Sequence, residues 1–149
     1  MIPLIRRELV VYVPLRIAWQ HLVRVDQWPS WANHIKSVEV VPTGELSAKS
    51  SVIIRLRNRL KYSLQVTEFH RYFGWKWIGR LLWLTIHYDH RFEVINDKRT
   101  KIIWIIGCEG IGASIIGRIF GAIYRRFLDR AIFQLQVEMN AIGRKKAVI

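Results

Sequence analysis

Between Ile111 and Ile142 the apolar residues recur at helical spacing. Ala113, Gly117, Phe120, Tyr124, Leu128, Ala131, Leu135 and Ile142 fall on one stripe, with Phe127 and Met139 beside it. Arg118, Ala122, Arg125, Asp129, Gln136 and Asn140 fall on the opposite side. Gly143 suits a C-terminal cap, and Arg144, Lys145 and Lys146 stand where the helix dipole favours cations. At ~1.5 Å per residue the helix would be roughly 45–50 Å long. A helix of that length with one apolar face needs a large apolar partner.

The preceding hundred residues supply one, because most of them alternate with a period of two. A short β-rich run, Glu8 to Val13, ends at Pro14, which is well placed to open a helix over Pro14 to Arg24. Asp26 can cap a second short helix through Trp28-Pro29-Ser30-Trp31. Ile35 to Val41 is the next strand. Ser51 to Arg57 and Leu60 to Phe69 form a hairpin turning at Asn58. Phe73, Trp75 and Trp77 alternate with Gly74, Lys76 and Ile78. Leu84, Ile86, Tyr88, His90, Phe92 and Val94 alternate with more polar neighbours, and Lys101 to Glu109 is the last strand. The order is one strand, two short helices, six meandering strands and one long helix. Short turns between strands mean an antiparallel sheet, and helices grouped at the chain ends mean an α+β class. A seven-stranded twisted sheet curls, and its concave face can close on the long helix.

Composition narrows the picture. A chain of 149 residues is expected to be one domain, 1–149, with 51% hydrophobic residues to fill a core. The single cysteine, Cys108, excludes an internal disulfide and a cysteine metal cluster, and fits a reducing compartment. Arg6, Arg7 and Glu8 interrupt the N-terminus before any secretory-type apolar run. Cytoplasmic residence is therefore expected, with peripheral membrane attachment as the alternative. The net charge of +13 suits either acidic partners or simple solubility. The apolar stretch from Lys101 to Arg118 contains Glu109 and three glycines and is too short for a membrane span.

The segment Val11-Tyr12-Val13-Pro14, then Ala18-Trp19, then Val25-Asp26-Gln27-Trp28-Pro29-Ser30-Trp31 resembles the opening of the START-like superfamily, also called Bet v 1-like, in its polyketide cyclase/dehydrase branch. Trp75-Lys76-Trp77, His90-Arg91-Phe92-Glu93, Thr100, Glu109-Gly110 and the long final helix agree with it. The resemblance implies a helix-grip fold: an antiparallel sheet wrapped round the C-terminal helix, with a cavity between them. It also implies a guest such as a lipid, sterol, quinone or polyketide, or an aromatase/cyclase activity, with no fixed catalytic motif. This chain departs from the pattern in its strongly basic charge and in Gly117 and Gly121 within the helix.

The inward faces give a candidate pocket. The sheet offers Ile54, Tyr62, Leu64, Phe73, Trp75, Trp77, Tyr88, His90 and Phe92. The helix offers Phe120, Tyr124 and Phe127, and Trp28 and Trp31 would stand near an entrance. The competing expectation is that these aromatics simply fill the core, since interiors pack densely. His90 is either a hydrogen-bonded core residue or a general base for an aldol-type cyclisation, with Tyr88 or Tyr62 polarising a carbonyl. Metal binding is not expected, because His87 and His90 point to opposite faces of their strand. No cofactor is expected either. Gly110-Ile111-Gly112 lacks the third glycine and the βαβ setting of a dinucleotide site. Arg55, Arg57, Arg59 and Lys61 share one parity across the hairpin and form an outer basic stripe, suited to an anionic membrane surface. Aromatic stacking partners do not interleave with these charges, which disfavours nucleic acid. The leading expectation is a protein that binds or carries a hydrophobic small molecule. A polyketide cyclase or dehydratase, and a membrane-peripheral module presenting a lipid or quinone, are the alternatives.

Overall fold

The computed structural model describes residues 1–148, with side chains through residue 145. Seven strands form one antiparallel sheet in the order β1-β7-β6-β5-β4-β3-β2. They are β1 (Ile2–Val11), β2 (Ile35–Val41), β3 (Ser51–Leu56), β4 (Lys61–His70), β5 (Gly74–Leu81), β6 (Leu84–Asn96) and β7 (Arg99–Glu109). Helix α1 (Leu15–Val23) and a 3-10 turn (Val25–Ser30) carry the chain from edge strand β1 to the opposite edge, β2. A π-turn (Ala113–Gly117) leads into helix α2 (Arg118–Val148).

The core sits between the concave face of the sheet and the inner stripes of the two helices. From α1, Ala18, Trp19, Leu22 and Val23 are buried. From α2, Leu128, Ala131, Leu135 and Met139 are buried. Along β6, Leu84, Ile86, His90 and Phe92 are buried on alternate positions, as the period-two pattern requires.

Several boundaries differ from the sequence expectation for physical reasons. Strand β1 starts at Ile2, not Glu8. It pairs with β7 from Ile2↔Cys108 to Val11↔Thr100, and its register slips between Pro3 and Ile5. Proline lacks the N–H a ladder needs, so a bulge on an edge strand accommodates it. Asp26 does not cap the 3-10 turn; its carboxylate takes hydrogen bonds from Arg24 instead. Gln136 and Asn140 do not face away from the sheet. Gln136 donates to the Val10 carbonyl (3.3 Å), and Asn140 accepts from the Tyr12 N–H (2.9 Å).

Gly143 is not a helix cap, because α2 continues through it. The side chain of Lys146, expected at the helix end, lies outside the described residues. A Cβ on Gly143 would collide with the carbonyl oxygen of Tyr12, so the missing side chain lets α2 cross the end of β1. A Cβ on Gly117 would come 3.0 Å from Cys108, and one on Gly121 would rest 3.4 Å from Leu4. Gly117 seats the π-turn on β7, and Gly121 and Gly143 seat α2 along β1 and its end. Arg7 and Asp129 add an ion pair at 2.7 Å, and Arg125 donates to the Leu4 carbonyl at 3.3 Å.

The two helix glycines should therefore respond to alanine with opposite signs. Gly121→Ala meets only ordinary van der Waals contact and should stabilise by roughly 0.5–1 kcal/mol through helix propensity. Gly143→Ala must displace backbone and should destabilise by about 1–3 kcal/mol despite the same propensity gain. Urea denaturation midpoints of the two variants check the pair.

Candidate functional site

Because α2 is seated on the β1–β7 side, its N-terminal half stands away from β3–β6. Ile116 of the π-turn and Phe120 and Tyr124 of α2 face Ile54, Tyr62, Leu64, Trp77 and Tyr88 across open space. The space is a cavity of about 390 Å³, within the size range of small-molecule sites. Trp28, Ile35, His34 and His90 close its inner end. Leu56, Asn58 and Leu60 from the β3–β4 turn, Leu81 from the end of β5, and Ile119, Ile123 and Phe127 from α2 form its rim.

The other end of the sheet is solid. Trp19 of α1 packs on Phe69, Tyr72, Trp75 and Phe92, with ring centroids 5.1–5.9 Å apart. Trp75 and Phe92, expected in the pocket, belong instead to this aromatic plug because α1 covers their strand positions. Phe73 is 71% exposed. It falls in the turn before β5, where Tyr72 at φ +70° redirects the chain and takes the inward place beside Trp19. Trp28 and Trp31 do not stand at an entrance, since both are buried. Trp28 donates its indole N–H to the Leu22 carbonyl (2.9 Å) and forms the floor between plug and cavity. Trp31 stacks on Trp104 and lines a separate space of about 40 Å³ behind that floor.

The remaining expected positions, Ile54, Tyr62, Leu64, Trp77, Tyr88, His90, Phe120, Tyr124 and Phe127, face the cavity together with Trp28. Sequence reasoning missed His34, Asn58 and Leu60, which lie in connections between elements. It also missed Ile119 and Ile123, which lie outside the buried stripe of α2. Leu56 shares the inward parity of Val52 and Ile54, and that alternation is the signal that places it in the pocket.

Two polar atoms at the inner end have no hydrogen-bond partner in the protein: the Trp77 indole nitrogen and His90 Nδ1. The His90 ring stacks on Trp75 (4.6 Å, 18°) and meets the edge of Trp77 at 5.0 Å. Both atoms are buried within the wall, as are the unpartnered indole nitrogens of Trp75 and Trp104 outside the chamber. Burial pushes the His90 pKa down to about 3, against a smaller opposing effect of a hydrogen bond with the Trp75 backbone. Burial likewise lowers His34. It raises Tyr124 to about 12 and Tyr88 well above its usual value, with neighbouring tyrosines adding to both. Among the described residues that line it, the cavity has no Asp, Glu, Lys or Arg. It is therefore an uncharged chamber at neutral pH, with the hydroxyls of Tyr62, Tyr88 and Tyr124, the imidazoles of His34 and His90, the indoles of Trp28 and Trp77 and the Asn58 amide as its polar lining groups.

The basic stripe is not continuous. Strand β3 ends at Leu56, and residues 57–60 form the turn, closed by Leu56 N–H to Leu60 O at 2.8 Å. Arg55 and Lys61 face each other across the outer side of the hairpin, where Arg55 meets Glu39 at 3.5 Å. Arg57 and Arg59 sit instead in the turn beside the rim, with Arg59 at φ +73° and the Arg57 Nε–H on the Asn33 carbonyl (2.6 Å). Among the described residues, no group of three or more His, Cys, Asp or Glu is placed to hold a metal ion. No described helix is long and apolar enough to cross a membrane.

No family model matches the sequence, and no curated protein is similar to it at a significant level. Solved structures do match. A START superfamily protein from Mycobacterium smegmatis superposes with a TM-score of 0.70 at 8% identity, covering 94% of this chain and 99% of that one. The protein TTHA0849 from Thermus thermophilus gives 0.71 at 10% identity over 93% and 97% of the two chains. The di-domain ARO/CYC BexL from the BE-7585A biosynthetic pathway gives 0.69 at 13% identity, with 90% of this chain matching 46% of that one. The curled seven-stranded antiparallel sheet, the long helix lying across it and these neighbours together identify the fold as the START-like helix-grip fold.

Proposed function

We propose that this protein binds a neutral, largely apolar small molecule in the cavity between the sheet and α2, and holds it without transforming it. The observation that carries the reading is an open apolar chamber of about 390 Å³ with no charged side chain in its lining. An uncharged guest with few polar groups, such as a ketone, phenol or quinone, matches a lining whose polar groups are tyrosine hydroxyls, imidazoles, indoles and one amide. A carboxylate does not, because no cation lines the chamber to offset the cost of burying it.

The same chemistry speaks against catalysis from His90. A general base works best with a pKa near the operating pH, and about 3 lies far below it. No carboxylate lines the cavity to orient or recharge the ring. A cyclase reading, suggested by the ARO/CYC neighbour, would have to draw its base from another group. His34 is the other cavity imidazole, and burial weakens it too.

Native mass spectrometry of the full chain, followed by extraction, should reveal one uncharged apolar guest; an empty chamber under gentle purification sinks the reading. Ile54→Trp should fill the chamber and abolish guest retention while the far-ultraviolet circular dichroism stays unchanged.

The pH dependence follows from the neutral His90. Its pKa is lower in the folded state than the ordinary 6.5, so the unfolded chain binds a proton that the native state refuses. Folding stability should fall as pH drops from about 6.5 towards about 3. His90→Phe should reduce that slope. Chemical denaturation at a series of pH values measures it, and an unchanged slope would show that His90 is not held neutral.

A further inference from the structure

The rim of the cavity carries side chains that a water-facing surface does not favour. The turn joining β5 and β6 holds Leu82 and Trp83, which are 68% and 58% exposed. Tight turns normally use glycine, asparagine or aspartate, above all where φ is positive. Leu82 sits at φ +57°, so a bulky apolar residue occupies a strained position with no core contact in return. The Trp83 indole N–H bonds to the Ile111 carbonyl (2.7 Å), which ties this tip to the loop opening α2. Across the mouth, Ile119 and Ile123 are each more than half exposed, as is Leu60 in the β3–β4 turn. Together these residues form an apolar collar around the open chamber.

The charge around that collar is predominantly positive. Arg57 and Arg59 flank the rim residue Asn58. On α2, Arg126 and Arg130 follow Ile119 by seven and eleven residues, which places them on the helix face of Ile119 and Ile123. All four arginines are exposed, and none lies within ion-pair distance of a carboxylate among the described residues. Across 56–60 and 80–83, every charged residue is an arginine.

We infer that the mouth of the cavity docks on an anionic lipid bilayer, with Leu60, Leu82, Trp83, Ile119 and Ile123 entering the interface and the arginines meeting lipid headgroups. Aliphatic side chains partition into the acyl boundary, and tryptophan favours the headgroup level. Nucleic acid fits less well, because four of the five collar residues are aliphatic and the single exposed indole of Trp83 gives only one surface for a base to stack on. The orientation turns the open end of the chamber towards the membrane, so that a guest can pass between bilayer and cavity without crossing water. This route rests on the reading of the chamber as a guest site, whereas the docking itself does not.

Vesicle sedimentation with the full chain tests the docking without any guest. The protein should pellet with phosphatidylcholine vesicles containing phosphatidylserine at low salt, and much less with phosphatidylcholine alone or at high salt. Leu82→Asp with Trp83→Asp should release it from the anionic vesicles. Arg57→Gln and Arg59→Gln should each weaken partitioning roughly fivefold. Neither pair contributes to the chamber's inner end, so guest retention by native mass spectrometry should persist in both, which separates failed docking from a failed chamber. Failure to pellet with anionic vesicles overturns the inference. So does pelleting that is indifferent to both variant pairs, or a solution dimer that the Leu82→Asp, Trp83→Asp protein no longer forms.

Discussion

The constraint on which the structure depends is the close seating of α2 against one side of the sheet. At Gly117 the chain rests on Cys108, at Gly121 on Leu4, and at Gly143 on the Tyr12 backbone. A rigid rod pressed that closely onto β1, with the π-turn before it on β7, cannot also touch β3 and β4, which lie across a curled sheet. The gap is therefore a geometric consequence of the contact on the other side. Only its inner end is filled, by the α1 plug centred on Trp19. The chamber exists because small residues hold the helix to one wall while large ones block one end.

Much of this was legible in the sequence. Period-two runs located the strands to within a few residues, and β2 at its observed ends, Ile35–Val41. The stripe of α2 was legible because one face of a long helix must be buried over its whole length. Strand β1 was under-read, since Pro3 and the Arg6-Arg7 pair look unlike a strand until β7 supplies a partner and a bulge absorbs the proline. Gly143 resembled a cap because a glycine after a periodic run commonly is one. Only the third dimension shows a carbonyl where its side chain would be.

The site was less legible than the fold, for a definable reason. Alternation tells which face of a strand points inward, but not whether the inward space is occupied. Trp75 and Trp77 share a strand face and look equivalent in sequence, yet Trp75 lies in the plug and Trp77 on the chamber wall. The difference comes from α1, a distant element whose reach along β5 has no local signature. Asn58, Leu60 and His34 were missed because residues in connections carry no periodicity. The arginines of the β3–β4 turn are visible in the sequence, but their parity points to a strand face that ends before them.

The floor formed by Trp28 has a further consequence for selectivity. Its ring borders both the main chamber and the small void behind it, and one hydrogen bond to Leu22 fixes its pose. His34, Ile35, Tyr88, His90 and Tyr124 border both spaces with it, so the depth of the chamber is set by a wall to which helix, sheet and connection all contribute. A smaller residue at position 28 would open that wall on one side and deepen the chamber there. The capacity of the chamber thus depends on the size of one core side chain as well as on the spacing between helix and sheet.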